Sequence, residues 1–150
     1  PIDEAKSRTT YDVELSAQNG PFYAEMEYQR QRVKRPNNAQ KLNFHGWHAQ
    51  AAYVLTGEAR KFKASNGTFG QVVPESENGA WEIAGRYSYL TLTNKDIKGG
   101  SAHNASVGLN WYATKHVKVS GNYIRSLQHE HTTLDKRRLH IVGLRLQLVF

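Results

Sequence analysis

The chain closes on RLHIVGLRLQLVF, where Val142, Leu144, Leu146, Leu148 and Phe150 take every second position. Gly143, Arg145 and Gln147, which suit water, fall between them. Successive side chains of a strand point to opposite faces, so a period of two requires one apolar face and one wet face. Either a soluble sheet or the wall of a membrane barrel meets that requirement. An amphipathic strand that ends on an aromatic residue favours the second.

The same period recurs upstream. Tyr11–Ala17 is apolar at odd positions until Asn19-Gly20-Pro21 breaks it, and Asn-Gly is a strong hairpin signal. Phe22–Tyr28 is apolar at even positions and runs into the basic stretch RQRVKRPNNAQK. HGWHAQAAYVL sets Trp47, Ala49, Ala51, Tyr53 and Leu55 against His48, Gln50 and Ala52. GAWEIAGRYSYLTL sets Trp81, Ile83, Tyr87 and Tyr89 against Glu82, Arg86 and Ser88. HNASVGLNWY and VKVSGNYI continue the alternation, each between turn-rich segments. Between Thr56 and Gly79 it lapses, with room for one short strand around Thr68 to Val73. Seven strands and no helix follow, which makes the chain all-β and antiparallel.

Hydrophobic residues make up 39% of the 150, and mean hydropathy is −0.68. Those totals look soluble, yet a sheet with one wet face averages out as polar wherever its other face sits. No apolar run is long enough for a membrane-spanning helix. The absence of cysteine excludes disulfides and thiolate metal sites. A net charge of +7 admits nucleic acid, anionic lipid or small anions as partners. Nucleic acid is the poorest fit, because the cations scatter among several segments with no aromatic platform between them.

Two features point the apolar faces toward lipid. The opposite faces carry small wet residues such as Ser16, Gln50, Ser88, Asn104, Ser106, Asn110, Ser120 and Asn122. The outward aromatics Tyr11, Trp47, Trp81, Tyr87, Tyr89, Trp111 and Tyr123 gather toward strand ends, as girdles at two membrane boundaries would. The competing reading is a soluble β-barrel or sandwich that binds a small ligand. Seven strands do not close a bacterial single-chain barrel, whose strand number is even and at least eight, and hydrocarbon does not solvate open edges. A membrane barrel therefore implies either that residues 1–150 are the C-terminal portion of something longer, the simpler reading, or that several chains share one barrel. A start at Pro1 fits a processed product or a piece of a longer chain.

Specific stretches sharpen this expectation. GAWEIAGRYSYLTL, HNASVGLNWY, VKVSGNYI and the terminal LRLQLVF, preceded by GWHAQAAYVLTGEARKF and GTFGQVVP, resemble the C-terminal half of the phosphate-selective porins O and P. The resemblance implies a transmembrane, sixteen-stranded outer-membrane barrel of a Gram-negative bacterium, with about its last seven strands here. It implies a homotrimer that passes inorganic anions of the phosphate class without a cofactor. It also implies that Phe150, Leu148 and Leu146 form the signal read by the outer-membrane assembly machinery. The chain end would then lie on the periplasmic side, with RQRVKRPNNAQK, TNKDIKGGS and SLQHEHTTLDKRR at the outer mouth.

An anion path needs fixed cations. Alternation sends Arg86, Lys118 and Arg145 to the wet face, but Asp12, Glu14, Glu25, Glu27 and Glu82 go there too. The positive excess belongs to the outer-mouth segments: Arg30, Arg32, Lys34, Arg35, Lys41, Lys95, Lys98, Lys136, Arg137 and Arg138. His129-Glu130-His131 with His140 lacks a certain third metal ligand, and His45 and His48 should face opposite ways. No nucleophile–base arrangement or phosphate loop marks an enzyme.

Overall fold

A computed structural model describes residues 5–36, 40–65, 67–129 and 136–149, with the side chains of residues 129, 136 and 137 left undescribed. Its strands are β1 (Ser7–Asn19), β2 (Phe22–Lys34), β3 (Leu42–Val54), β4 (Phe62–Lys63), β5 (Thr68–Phe69), β6 (Ala80–Asn94), β7 (Ile97–Tyr112), β8 (Val117–His129) and β9 (Lys136–Leu148). Seven of them form one antiparallel sheet in the order β1-β2-β3-β6-β7-β8-β9. The β4–β5 pair forms a small separate hairpin. Its second strand falls where the sequence left room for one.

Register places like with like. One row of the apolar face runs Ala17, Ala24, Ala51, Gly85, Val107, Tyr123, Val142 across all seven strands. The residues between them form the polar face. Among the described residues no second layer covers the apolar side: Val13, Leu15, Val142, Leu144 and Leu146 are 61–86% exposed. A soluble sandwich would bury that face, because exposed apolar area costs about 25 cal/mol per Å². We call the apolar side outward and the polar side inward.

Successive rows also show the strand tilt. The upper outward aromatics are Tyr11 on β1, Tyr28 on β2, Trp47 on β3, Tyr87 on β6 and Tyr123 on β8. Across the register Tyr28 and Trp47 share a row below Tyr11, with Tyr89 beside Trp47, while Tyr87 and then Tyr123 lie lower still. The lower aromatics follow the same slope, from Tyr53 on β3 to the stacked Trp81 and Trp111 on β6 and β7. Strands tilted against a membrane plane give this diagonal.

Tight turns at Gly20-Pro21 and 113–116 mark one end of the sheet, here the turn end. At the other, the loop end, the strands run farther than alternation suggested. Arg30, Arg32 and Lys34 belong to β2, Lys98 to β7, and Lys136, Arg137 and Arg138 to β9. The sequence reading put these cations in loops, whereas the backbone stays paired beyond the aromatic row. Arg35, Lys41 and Lys95 do lie between strands.

The inward face is not polar throughout. Near the loop end Val33, Leu42 and Phe44 form a small core capped by Ile97. Leu90, Leu92, Ile124, Leu139 and Ile141 lie on that face too. The β6–β7 turn is held over this core by Asp96, which accepts from Arg35 at 2.6 and 2.8 Å. The Arg35 guanidinium holds the Asp96 carboxyl below its ordinary value. A depressed folded-state value means that the clasp contributes at neutral pH and is lost only as pH falls through that value, below about 3.9. A carboxyl ¹³C titration of Asp96 should therefore show a midpoint lower than in the Arg35→Gln variant.

Candidate functional site

The long segment 57–79 builds the most structured part of the inward face. It folds back under the turn end instead of hanging free. Val72 is fully buried against Val54, Ala80 and Tyr112, and Phe69 meets the Tyr23 ring edge-on at 5.4 Å. Gln18 donates to the Arg60 carbonyl at 2.7 Å, and Gln71 to that of Lys115 at 2.7 Å. Thr56 donates to the buried Glu58 carboxylate, which also accepts from the Glu75 amide at 3.4 Å. Burial alone would raise Glu58, but these bonds outweigh it and hold the carboxyl below its ordinary range.

This packing carries the Arg60 side chain to the sheet. Its Nη2 sits 2.5 Å from Oε2 of Glu82, a residue only 1% exposed, and its guanidinium lies 4.7 Å from the Tyr23 ring centroid. Glu82 Oε1 accepts from Asn110 at 2.8 Å and from the Tyr112 hydroxyl at 3.1 Å. Both partners sit beside Glu82 because β7 runs antiparallel to β6. The carboxylate is therefore matched by one cation and two neutral donors.

Two further inward acids are engaged. His48 lies between Glu25 and Glu27, at 3.2 and 3.5 Å, and Tyr23 donates to Glu25. The β2–β3 register, with Glu25 opposite Gln50 and Glu27 opposite His48, makes this bracket.

The three cations that alternation sent inward stand differently. Arg86 on β6 is exposed and makes no ion pair with a described residue. Lys118 on β8 is half-buried, with Nζ 3.1 Å from the Tyr112 hydroxyl and 4.6 Å from its ring centroid. Arg145 on β9 is exposed, opposite Ser120. None of them pairs with the acids that alternation placed on the same face. Arg86, Lys118 and Arg60 line a common pocket of ≈ 240 Å³ with Tyr23, Gln50 and Asn122.

The family model for the phosphate-selective porins O and P matches residues 2–150. The chain belongs to that family. Porin O of Pseudomonas aeruginosa is 33% identical over 139 residues, covering 84% of this chain and 31% of that porin. An uncharacterized protein of Caulobacter vibrioides is 24% identical over 160 residues, covering 100% of this chain and 31% of its own length. The chain thus spans about a third of the length of these relatives.

Within this porin sheet, sequence reasoning placed Arg86, Lys118 and Arg145 on the face where they are found. It missed Arg60, which lies in an irregular segment with no periodicity to aim its side chain. Leu146 and Leu148 face outward on β9, while Phe150 lies outside the described residues. His45 and His48 face opposite sides as expected: His45 stacks near Tyr28 at 6.3 Å, and His48 meets the two carboxylates. His131 and Glu130 lie outside the described residues, as does the side chain of His129, and His140 Nδ1 is 2.6 Å from the Tyr123 hydroxyl. Among the described residues no cluster of acids and histidines forms a metal site.

Proposed function

We propose that this chain is the C-terminal portion of an outer-membrane porin through which inorganic anions of the phosphate class diffuse. The outward rows meet acyl chains, and the inward face lines a water-filled path with no cofactor and no chemistry. The loop end is external and the turn end periplasmic. The parent barrel assembles as a homotrimer and is inserted by the machinery that reads the β9 end. The relative named Porin O and the family description support the phosphate class. Membership of a channel family argues against catalysis.

One observation supports anion preference in this part of the wall. Glu82 is paired with Arg60, whereas Arg86, Lys118 and Arg145 form no ion pair with a described carboxylate. Asp12 and Glu14 lie on β1, three strands from Arg86, or about 14 Å at the usual strand spacing. The pocket lining carries Arg60, Arg86 and Lys118 against Glu82, a positive balance, and fixed cations attract anions and repel cations there.

Reversal potentials of the full-length porin in planar bilayers test this reading. The wild type should prefer anions, and R86Q/K118Q/R145Q should reduce that preference by roughly half or more at low salt, converging at 1 M as screening sets in. Cation preference in the wild type would overturn the proposal.

A further inference from the structure

Among the described residues the charged side chains on outward strand positions all have one sign and one location. Register places Arg30, Arg32 and Lys34 of β2, Arg125 of β8 and Arg138 of β9 outward. The described strand carboxylates Asp12, Glu14, Glu25, Glu27 and Glu82 all face inward. The outward cations stand past the aromatic row, toward the loop end: Arg30 and Arg32 beyond Tyr28, Arg125 beyond Tyr123, and Arg138 beyond Val142. At the turn end the outward edge is Asn19, Phe22, Tyr53, Trp81, Trp111 and Leu148, which carries no charge.

Their partners leave the charges available. Arg30 donates to the Asn43 side-chain oxygen at 3.1 Å, and the Arg32 guanidinium lies 5.3 Å from the Tyr11 ring centroid. Arg125 and Arg138 are exposed and make no ion pair with a described residue. Cations that merely kept the strand ends wet would be mixed with carboxylates, as on ordinary protein surfaces. A single-sign collar directly above an interfacial aromatic row sits at headgroup depth, and guanidinium groups match phosphate with paired N–H donors.

We propose that this collar binds the phosphate groups of a phosphorylated glycolipid in the outer leaflet. The inference rests on the membrane placement proposed above and not on anion selectivity. Basic residues at a membrane surface each add attraction to anionic headgroups, so the effect accumulates over the collar.

The test uses the full-length porin in detergent, titrated with bis-phosphorylated lipid A, its dephosphorylated form and phosphatidylglycerol, with retained lipid read by native mass spectrometry. The wild type should retain the bis-phosphorylated lipid roughly tenfold or more over the dephosphorylated one. R30Q/R32Q/R125Q/R138Q should lose that preference, while K63Q/K115Q, which removes cations from the turn end, should keep it. R125Q and R138Q singly supply graded losses if the fourfold variant does not fold. Equal retention of the two lipid A forms, or an unchanged preference in the fourfold variant, would overturn the proposal. Equal retention of phosphatidylglycerol would overturn the glycolipid assignment, and displacement of the lipid by millimolar inorganic phosphate would make the collar a free-anion site instead. Reversal potentials of the same samples report separately on the channel.

Discussion

Replacing Arg60 with alanine is expected to destabilise the folded porin by about 3 kcal/mol, the lower part of the range for breaking a buried ion pair, since Arg60 keeps some exposure. Glu82 would keep only the Asn110 and Tyr112 donors while remaining out of water. The substitution removes a partner and leaves a buried charge behind, which is the more damaging way to disrupt such a pair. Combining R60A with E82Q should recover most of the loss, because the glutamine can still accept from Asn110 and Tyr112 without needing a cation. Urea midpoints of the four members of this cycle, measured on the full-length porin, give the coupling directly. A coupling near zero would show that the Arg60–Glu82 pair adds nothing to the packing and hydrogen bonds that hold segment 57–79.

The second large effect separates the two faces of one strand. Val107 lies on the outward face of β7 near the middle of the apolar band, and V107R should cost about 2–4 kcal/mol, the range for arginine at the midplane of a membrane barrel. Asn104, on the same strand but facing inward, should accept arginine within about 1 kcal/mol. Unfolding from lipid vesicles measures both. In a soluble sheet with its apolar side packed, V107R would also be damaging. In detergent-free solution, however, such a sheet would hold the wild type monomeric, and the porin should not stay dispersed there.

The strand faces were readable because a period of two survives local variation: Tyr11 to Ala17 and Val142 to Leu148 carry it unbroken. Strand lengths were harder to read. In β2 the alternation continues past Tyr28, but the outward residues change from apolar to Arg30, Arg32 and Lys34, and a charge run reads as a loop. The structure keeps these residues paired with β3 and β1, and in the membrane placement proposed above such a strand rises beyond the bilayer, where its outward side chains meet headgroups and water. Inward apolar residues such as Leu90, Leu92 and Ile141 likewise break the polar pattern, and Ile97 over Val33, Leu42 and Phe44 shows that part of the mouth is packed.

The site was legible only as a set of like-facing charges. Alternation counts five inward acids against three bases, but a count assigns no partners. Glu82 is matched by Arg60, which is distant in sequence and comes from a segment without periodicity. Glu25 and Glu27 share His48 through a register that one strand alone does not reveal. An ion-paired charge contributes less field than an unpaired one, so the partner of each group matters to the local potential as well as the composition does.

Which medium touches the outward rows can be read with an environment-sensitive fluorophore on single cysteines at positions 107, 109, 144 and 146 of the full-length porin in lipid vesicles. Residues 106 and 122 serve as inward controls. The first four labels should be quenched by nitroxide groups on the acyl chains and not by iodide, with the reverse at 106 and 122. Iodide access at the first four positions, or protection of them from both quenchers inside a packed core, would contradict the placement of the outward face in lipid.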